Sequence, residues 1–277
     1  MIHSDRVQLD GITLAYTVRG SGEPVVLIHA GMFADWFAPL LSEATLTDRY
    51  RVISYHRVNY GASSHVPGPT SIADQAAHCR ALMTDLGIER AHVVGHSSGG
   101  CIAVQLALKA PTAVQSLALL EPARAAGSAD DHGPVPFIAE ALQRYGAEDK
   151  AGAIDAFMGG VCGPGYRAFV DGSLPSGAFE QAVIDADGFF GQELPAVQGW
   201  PAISDRTVCP DQPVLAVIGS DSSPRFQQGQ EALLARLPHA EPFILSGATH
   251  LLHVQQPRAM AEALAAFFAR HPMSSPR

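Results

Sequence analysis

The amino-acid sequence predicts an α/β protein whose mostly parallel, eight-stranded sheet is flanked by helices. Short runs of branched apolar residues alternate with amphipathic helical patterns near both ends of the chain. Several of these runs are apolar throughout, as in strands that are buried on both faces. Of the 277 residues, 47% are hydrophobic, 16% are charged and 26 are glycine, which is typical of a compact protein with many turns. The alternation predicts right-handed crossovers between parallel strands.

The first predicted element is a β-hairpin. The turn dipeptide Asp10-Gly11 separates two short alternating runs, residues 7–9 and 13–18, which we expect to form an antiparallel edge of the sheet. Residues 25–28 are then the first interior strand. Further strands are predicted at residues 51–54, 91–94, 114–120, 214–218 and 243–245, and helices at residues 72–86, 98–109, 226–237 and 257–269.

A long segment without a strand pattern interrupts this alternation. A structureless loop of that length would be improbable in a compact domain. We therefore predict that residues 123–212 form an inserted helical cap, and that residues 1–122 and 213–277 form the core domain. The apolar side chains of the cap predict a hydrophobic pocket, although many of them must pack the cap helices together. These side chains are Phe137, Leu142, Ile154, Phe157, Met158, Tyr166, Phe169, Phe179, Phe189, Phe190 and Trp200.

Charge and cysteine content exclude several classes of function. The formal net charge is −9 and the basic residues form no cluster, so nucleic acid is not expected as a partner. No apolar run is long enough to span a bilayer, and the first ten residues do not resemble a signal peptide, so we expect a cytoplasmic protein with no membrane partner. The four cysteines, Cys79, Cys101, Cys162 and Cys209, are isolated and predict no metal or redox motif. The sequence leaves monomer and homodimer open.

The candidate nucleophile is Ser97, in residues 95–99, Gly-His-Ser-Ser-Gly. This pentapeptide lies between a predicted strand and a predicted helix. A serine at such a turn takes a strained conformation, and small residues two positions before and after it prevent collisions with the neighbouring backbone. The amino end of the following helix would also stabilise a developing oxyanion.

At these residues the chain resembles the α/β-hydrolase superfamily, and the resemblance extends over essentially its whole length. It implies an α/β-hydrolase fold with a cap, and a catalytic triad in the chain order serine, acid, histidine. Because the nucleophile is a serine, the dehalogenase and epoxide-hydrolase branches, which use aspartate, are excluded. No dinucleotide-binding fingerprint, phosphate-binding loop or metal cluster is present, so we expect no cofactor and no metal.

Residues 27–32 resemble the loop from which the family draws half of its oxyanion hole. We assign the first backbone donor to Gly31, with Met32 as the second choice, and the other donor to the N–H of Ser98. His29 is interpreted as a residue that fixes the turn. The loop of residues 55–63 is also similar to a family loop and is interpreted as structural, with Asn59 in a left-handed conformation.

The candidate base is His250, in residues 247–250, Gly-Ala-Thr-His, which resemble the family's histidine loop after the last strand. His253 is the alternative. It lies in an apolar stretch and is interpreted as a packing residue, so its replacement should mainly change stability.

Two carboxylates are candidates for the triad acid. In most of the family an aspartate follows the strand predicted here at residues 214–218, but the expected position is Ser222, and Asp221 is one residue early. Glu121 directly follows the strand at residues 114–120, where some members place their acid. A carboxylate at the end of an apolar strand would be costly to bury without a partner, which favours Glu121. Asp221 stays open as the second choice.

These residues predict a serine hydrolase that cleaves a hydrophobic carboxylic ester or lactone through an acyl-enzyme, with a small hydrophobic molecule as substrate. Glu121, together with the serine pair, shows some resemblance to macrolactone lactonases. A carbon–carbon bond hydrolase, an acyltransferase or a cofactor-free oxygenase on the same fold are alternatives within enzymes. A ligand receptor that retains a slow triad is the alternative outside enzymes, because fold alone does not separate these functions.

Overall fold

The computed structural model describes residues 2–124, 135–201 and 210–273, and its centre is one eight-stranded sheet. The strand order is β1-β2-β4-β3-β5-β6-β7-β8. The predicted fold class is confirmed. The strands are β1 (Ile2–Leu9), β2 (Ile12–Arg19), β3 (Glu23–Ile28), β4 (Tyr50–Tyr55), β5 (Ala91–His96), β6 (Val114–Leu120), β7 (Val214–Gly219) and β8 (Glu241–Leu245).

The hairpin is the antiparallel edge that the turn dipeptide predicts. β1 pairs with β2 from Ile2↔Arg19 to Leu9↔Ile12, and β2 pairs antiparallel with β4, while all other pairs are parallel. β1 starts five residues earlier than residue 7, the predicted start, because the pairing with β2 continues through residues that lack clear alternation.

Helices cover both faces of the sheet and fill the segment between β6 and β7. Two short helices after β3, at Ala38–Leu41 and Ala44–Thr47, were not predicted because four residues are too few to establish a helical period. The α-helices are α1 (Ala38–Leu41), α2 (Ala44–Thr47), α3 (Ile72–Asp85), α4 (Ser98–Lys109), α5 (Pro136–Gly146), α6 (Lys150–Cys162), α7 (Tyr166–Ser173), α8 (Ala178–Ile184), α9 (Ala186–Gly188), α10 (Leu194–Gly199), α11 (Pro224–Arg236) and α12 (Pro257–Arg270), and a π-helical turn covers Phe189–Glu193.

The two faces of β3 show how the core is divided. Val26 and Ile28 pack with the cluster that includes α3 and α4, whereas Val25 and Leu27 pack with the cluster that includes α12. This alternation follows from the two-residue period of a strand. A third apolar cluster lies among the helices between β6 and β7 and reaches the loop after β3.

The described helices include none that is both long and apolar enough to cross a bilayer. Cys79, Cys101 and Cys162 are free and buried, as expected of isolated thiols. Burial raises the pKa of the Cys79 and Cys101 thiols to about 12 and that of Cys162 further. Cys209 lies outside the described residues.

Candidate active site

Ser97 lies in a strained turn between β5 and α4. Its backbone has φ 52° and ψ −118°, a conformation that non-glycine residues rarely adopt. A Cβ atom on Gly99 would lie 2.2 Å from the carbonyl oxygen of Ile28, and one on Gly95 would lie 2.4 Å from that of Gly99. The two glycines are therefore needed for the turn, which presents Ser97 to the large cavity described below.

Glu121 and His250 form a buried pair beside this turn. His250 Nδ1 and Glu121 Oε2 are 2.6 Å apart, and the two side chains are 4% and 1% exposed. A histidine that donates from Nδ1 to a carboxylate presents its other ring nitrogen, Nε2, as a proton acceptor. His250 lines the same cavity as Ser97.

The sheet order explains why the carboxylate reaches this position from β6. β6 lies between β5, which ends at the Ser97 turn, and β7. The Ser97 N–H donates to the carbonyl of Leu120 at 3.0 Å, and the Ala123 N–H donates to the carbonyl of Ser97 at 3.0 Å. Glu121 itself has φ 43°. The carboxyl ends of two adjacent strands thus hold the serine and the carboxylate at the same end of the sheet.

The second carboxylate oxygen is held by the loop after β7. Glu121 Oε1 accepts hydrogen bonds from the Gly219 N–H at 2.8 Å and from the hydroxyl of Ser222. Ser222 occupies the position where the family commonly has its aspartate, and here it orients Glu121. By contrast, Asp221 is exposed, and its carboxylate accepts from the Ser220 hydroxyl at 2.8 Å. Of the two candidates, the structure brings Glu121 to His250.

The loop after β3 supplies the first candidate oxyanion donor. Gly31 lines the cavity with Ser97 and Ser98, whereas Met32, the second choice, is buried with φ 72° and is not among the lining residues. The Trp36 indole donates to the Gly31 carbonyl at 2.7 Å and so holds this loop. Ser98 is the first residue of α4, and its N–H therefore has no acceptor within the helix.

Aromatic rings fix the orientation of His250. The Phe226 ring stacks on it, with centroids 4.1 Å apart and 12° between the planes. On the other side, His96 donates from Nε2 to the His250 carbonyl at 3.0 Å. Burial lowers the pKa of His96 well below its usual value, and the neighbouring His250 and His253 lower it further. His96 is therefore a neutral donor next to the base.

His253 and His29 have structural contacts, in line with their interpretation from the sequence. His253 donates from Nε2 to the Trp36 carbonyl at 3.0 Å, and burial lowers its pKa to about 3. His29 Nδ1 donates to its neighbouring carbonyl at 2.6 Å, and its Nε2 accepts from the Arg57 N–H at 3.0 Å. Asn59 has φ 70°, the expected left-handed conformation.

A cavity of about 340 Å³ lies over Ser97, within the range of small-molecule sites. Its lining is mostly apolar. Of the eleven cap side chains that predicted a pocket, five line it, five are buried in packing elsewhere, and Phe169 is 41% exposed. The five lining residues are Phe137, Leu142, Phe157, Met158 and Phe189. The described part of the chain contains no group of acidic, histidine and cysteine side chains that could hold a metal ion.

Four residues at the site were not found by sequence reasoning. Phe226 and Trp36 act through the ring contact and the indole hydrogen bond described above, and no local pattern distinguishes them from core aromatics. Arg124 and Arg225 line the cavity. Arg225 carried a signal, because an arginine in the first turn of a helix opposes the helix dipole.

Comparisons with known proteins agree with the fold. A family model described as alpha/beta hydrolase fold matches residues 23–158. The dihydrolipoyllysine-residue acetyltransferase component of an acetoin cleaving system from Cupriavidus necator is 40% identical over 114 residues, which are 41% of this chain and 30% of the relative. The putative carbamate hydrolase RutD of Azorhizobium caulinodans is 38% identical over 109 residues, 39% of this chain and 40% of the relative. The matches thus span less than half of these curated relatives.

A solved structure is similar along nearly the whole chain. Est816, described as an N-acyl homoserine lactone degrading enzyme, has a TM-score of 0.75 and 26% identity, over 95% of this chain and 100% of its own. The sheet order, the turn at Ser97, the family model and this likeness agree, and the chain has the α/β-hydrolase fold.

Proposed function

We propose that the protein is a serine hydrolase that cleaves a hydrophobic carboxylic ester or lactone through an acyl-enzyme on Ser97. The observation that carries this proposal is the buried contact of 2.6 Å between His250 and Glu121, next to a serine in a strained turn. An imidazole held by a carboxylate in this way can accept the serine proton and is stabilised when it becomes charged.

In the first half of the proposed reaction, Ser97 Oγ attacks the substrate carbonyl carbon while His250 Nε2 accepts the hydroxyl proton. Glu121 stabilises the imidazolium, and the N–H groups of Gly31 and Ser98 donate to the oxyanion. Collapse of the tetrahedral intermediate breaks the bond from the carbonyl carbon to the alkoxy oxygen, and His250 returns the proton to the leaving alcohol. In a lactone this alcohol stays attached to the acyl group.

In the second half, water replaces the alcohol. His250 accepts a proton from the water as its oxygen attacks the acyl carbon, and the same two N–H groups stabilise the second oxyanion. The bond to Ser97 Oγ then breaks, His250 returns the proton to the serine, and the carboxylic acid leaves. No redox step or metal takes part in this sequence.

The substrate class follows from the cavity and from the relatives. An apolar lining favours hydrophobic acyl or alcohol groups of moderate size. Lactones and carbamates belong in the test panel, because a similar structure is described as a lactone-degrading enzyme and a relative is named as a putative carbamate hydrolase.

The test measures hydrolysis of p-nitrophenyl butyrate and a series of lactones by the wild type, Ser97→Ala and the control variant Ser42→Ala, an exposed serine far along the chain from the turn. We expect Ser97→Ala to lose kcat by a factor on the order of 10⁴ or more, as when a triad serine is removed. Mass spectrometry of the wild type with a slow ester should show the added acyl group, which Ser97→Ala should lack. Ligand binding without turnover by the wild type would overturn the proposal in favour of a receptor.

A further inference from the structure

Two arginines line the mostly apolar cavity next to the candidate nucleophile. Arg124 follows Glu121 by three residues, and Arg225 lies in the first turn of α11, next to the Phe226 that stacks on His250. Arg124 lies in the loop after β6 and Arg225 lies at the start of α11, and both bring a positive charge to the cavity that Ser97 lines. The proposed reaction assigns no role to either.

Neither guanidinium is neutralised by a carboxylate within residues 2–124, 135–201 and 210–273. Arg124 donates from Nε to the Trp200 carbonyl at 3.1 Å, a bond that orients the side chain without cancelling its charge. None of the described residues that line the cavity is acidic. The chain as a whole has 27 acidic and 18 basic residues, so this local excess of positive charge runs against its overall charge.

The two charges also act on each other. The pKa of Arg225 is lowered, first by partial desolvation and then by the positive charge of Arg124. The amino end of α11 adds positive potential at the same place. An anion between the two side chains would remove this repulsion and gain charge-assisted hydrogen bonds from planar donor groups that match a carboxylate.

We propose that the natural substrate carries a carboxylate, on its acyl or its alcohol part, and that Arg124 and Arg225 bind this group while the apolar walls hold the rest of the molecule. The inference deepens the proposed function and rests on it, because it names the substrate class of the same site. It predicts a hydrolase that prefers anionic esters or lactones over neutral ones of the same shape.

The test compares pairs of esters that differ in one charge. Mono-p-nitrophenyl glutarate and p-nitrophenyl pentanoate place or omit a carboxylate on the acyl part. The butyrate esters of p-hydroxybenzoate and of its methyl ester do the same on the alcohol part. The measured quantity is the ratio of kcat/KM for the anionic substrate to that for the neutral one, and we expect it to be above one for at least one pair in the wild type.

Variants then assign the preference to the two arginines. Arg124→Gln should lower the ratio by about tenfold to a hundredfold, the range expected for hydrogen bonds to charged groups. Arg225→Gln should lower it less, because this side chain is more exposed to solvent, and Arg225→Glu should lower it further. Arg258→Gln removes the same charge from an exposed helix position outside the cavity and should keep the wild-type ratio.

Salt gives a second readout that needs no variant. Added NaCl should lower the anionic-to-neutral ratio of the wild type, because counterions screen partly exposed charges. A ratio at or below one for both pairs, or one that neither arginine variant changes, would overturn this inference while hydrolysis of the neutral esters still supported the proposed function. Absence of hydrolysis of all four esters and of the lactones would instead remove the proposed function itself.

Discussion

Two buried carboxylates, Glu121 and Glu193, differ in the partner that each one holds. Glu121 contacts His250, a group that can gain and lose a proton, at the wall of the cavity. Glu193, in the π-helical turn between β6 and β7, contacts Arg57 at 2.9 Å and also accepts from the Tyr60 hydroxyl. Arg57 is fully buried, and its charge is permanent at any pH at which the protein is folded.

The difference between the partners gives the two pairs different roles, one in proton transfer and one in holding structural elements in place. A pair with histidine can move a proton within a reaction, whereas a pair with arginine fixes the position of the elements that carry it. The pair of Glu193 and Arg57 joins the π-helical turn to the loop after β4. Phe189, in the same turn, packs against the loop after β3 that supplies the candidate oxyanion donor. A Cβ on Gly31 of this loop would lie 2.3 Å from the Phe189 ring. The second pair therefore fixes the position of the turn that contacts the candidate oxyanion loop.

The largest expected effect concerns the first pair. Glu121→Gln keeps an oxygen for the Gly219 N–H but removes the charge that orients and stabilises the histidine. In the serine-protease triad the corresponding change lowers kcat by about 10⁴, and we expect a loss of that order on p-nitrophenyl butyrate. Asp221→Asn is the matched control and should leave kcat close to that of the wild type. If Asp221→Asn were the inactive variant, the assignment of the acid would be wrong.

For the second pair we expect the larger effect on the free energy of unfolding rather than on kcat. Glu193→Gln leaves the buried charge of Arg57 without a counterion, and removing one partner of a buried pair lowers the free energy of unfolding by about 3–5 kcal/mol. Urea unfolding measures this loss. Glu262→Gln, whose pair with Arg258 is exposed, should lose less than about 0.5 kcal/mol. A Glu193→Gln protein of wild-type stability, or one as inactive as Glu121→Gln, would erase the distinction between the two pairs.

The site around Ser97, Glu121 and His250 could be largely predicted from the sequence because its signals are local. The strained turn needs glycines within two residues of Ser97, and the histidine follows a recognisable loop. Glu121 could be preferred over Asp221 because a carboxylate at the end of an apolar strand requires a partner. Its remaining contacts, to Gly219 and Ser222, depend on strand order and could not be predicted from local pattern.

No local sequence pattern indicated the pair of Arg57 and Glu193. Arg57 and Glu193 are 136 residues apart in the chain, and a glutamate in a helical segment is ordinarily expected to face solvent. The π-helical turn packs through Phe189 and Phe190 in the apolar cluster that reaches the loop after β3, and these contacts join residues that are distant in the chain. The sequence therefore predicted short helices between β6 and β7 but not the contacts that attach them to the loop after β4. The division into residues 1–122 with 213–277 and a cap of 123–212 stays a prediction.

The smallest expected effect concerns the free energy of unfolding at acid pH. It tests whether part of its pH dependence arises at His253, beside the pair of His250 and Glu121. His253 is buried against the rings of Phe37 and His96, near His250, and its pKa is lowered from 6.5 to about 3. Between these two values the unfolded chain binds a proton that the folded protein does not. The stability that neutral His253 provides is therefore complete above pH 6.5 and is lost as the pH falls, by about 1.4 kcal/mol per pH unit.

His253→Gln removes this titration while its amide can still donate to the Trp36 carbonyl that His253 contacts. We expect a loss of about 1 kcal/mol at pH 7 from the missing ring contact with Phe37. From pH 6.5 to pH 5 the free energy of unfolding should then fall less steeply than in the wild type, so that the two curves converge and cross between about pH 6 and pH 5. Urea unfolding at a series of pH values measures both slopes. Curves that stay parallel over this range would show that His253 titrates alike in the folded and unfolded chains, and the acid sensitivity would have to arise elsewhere.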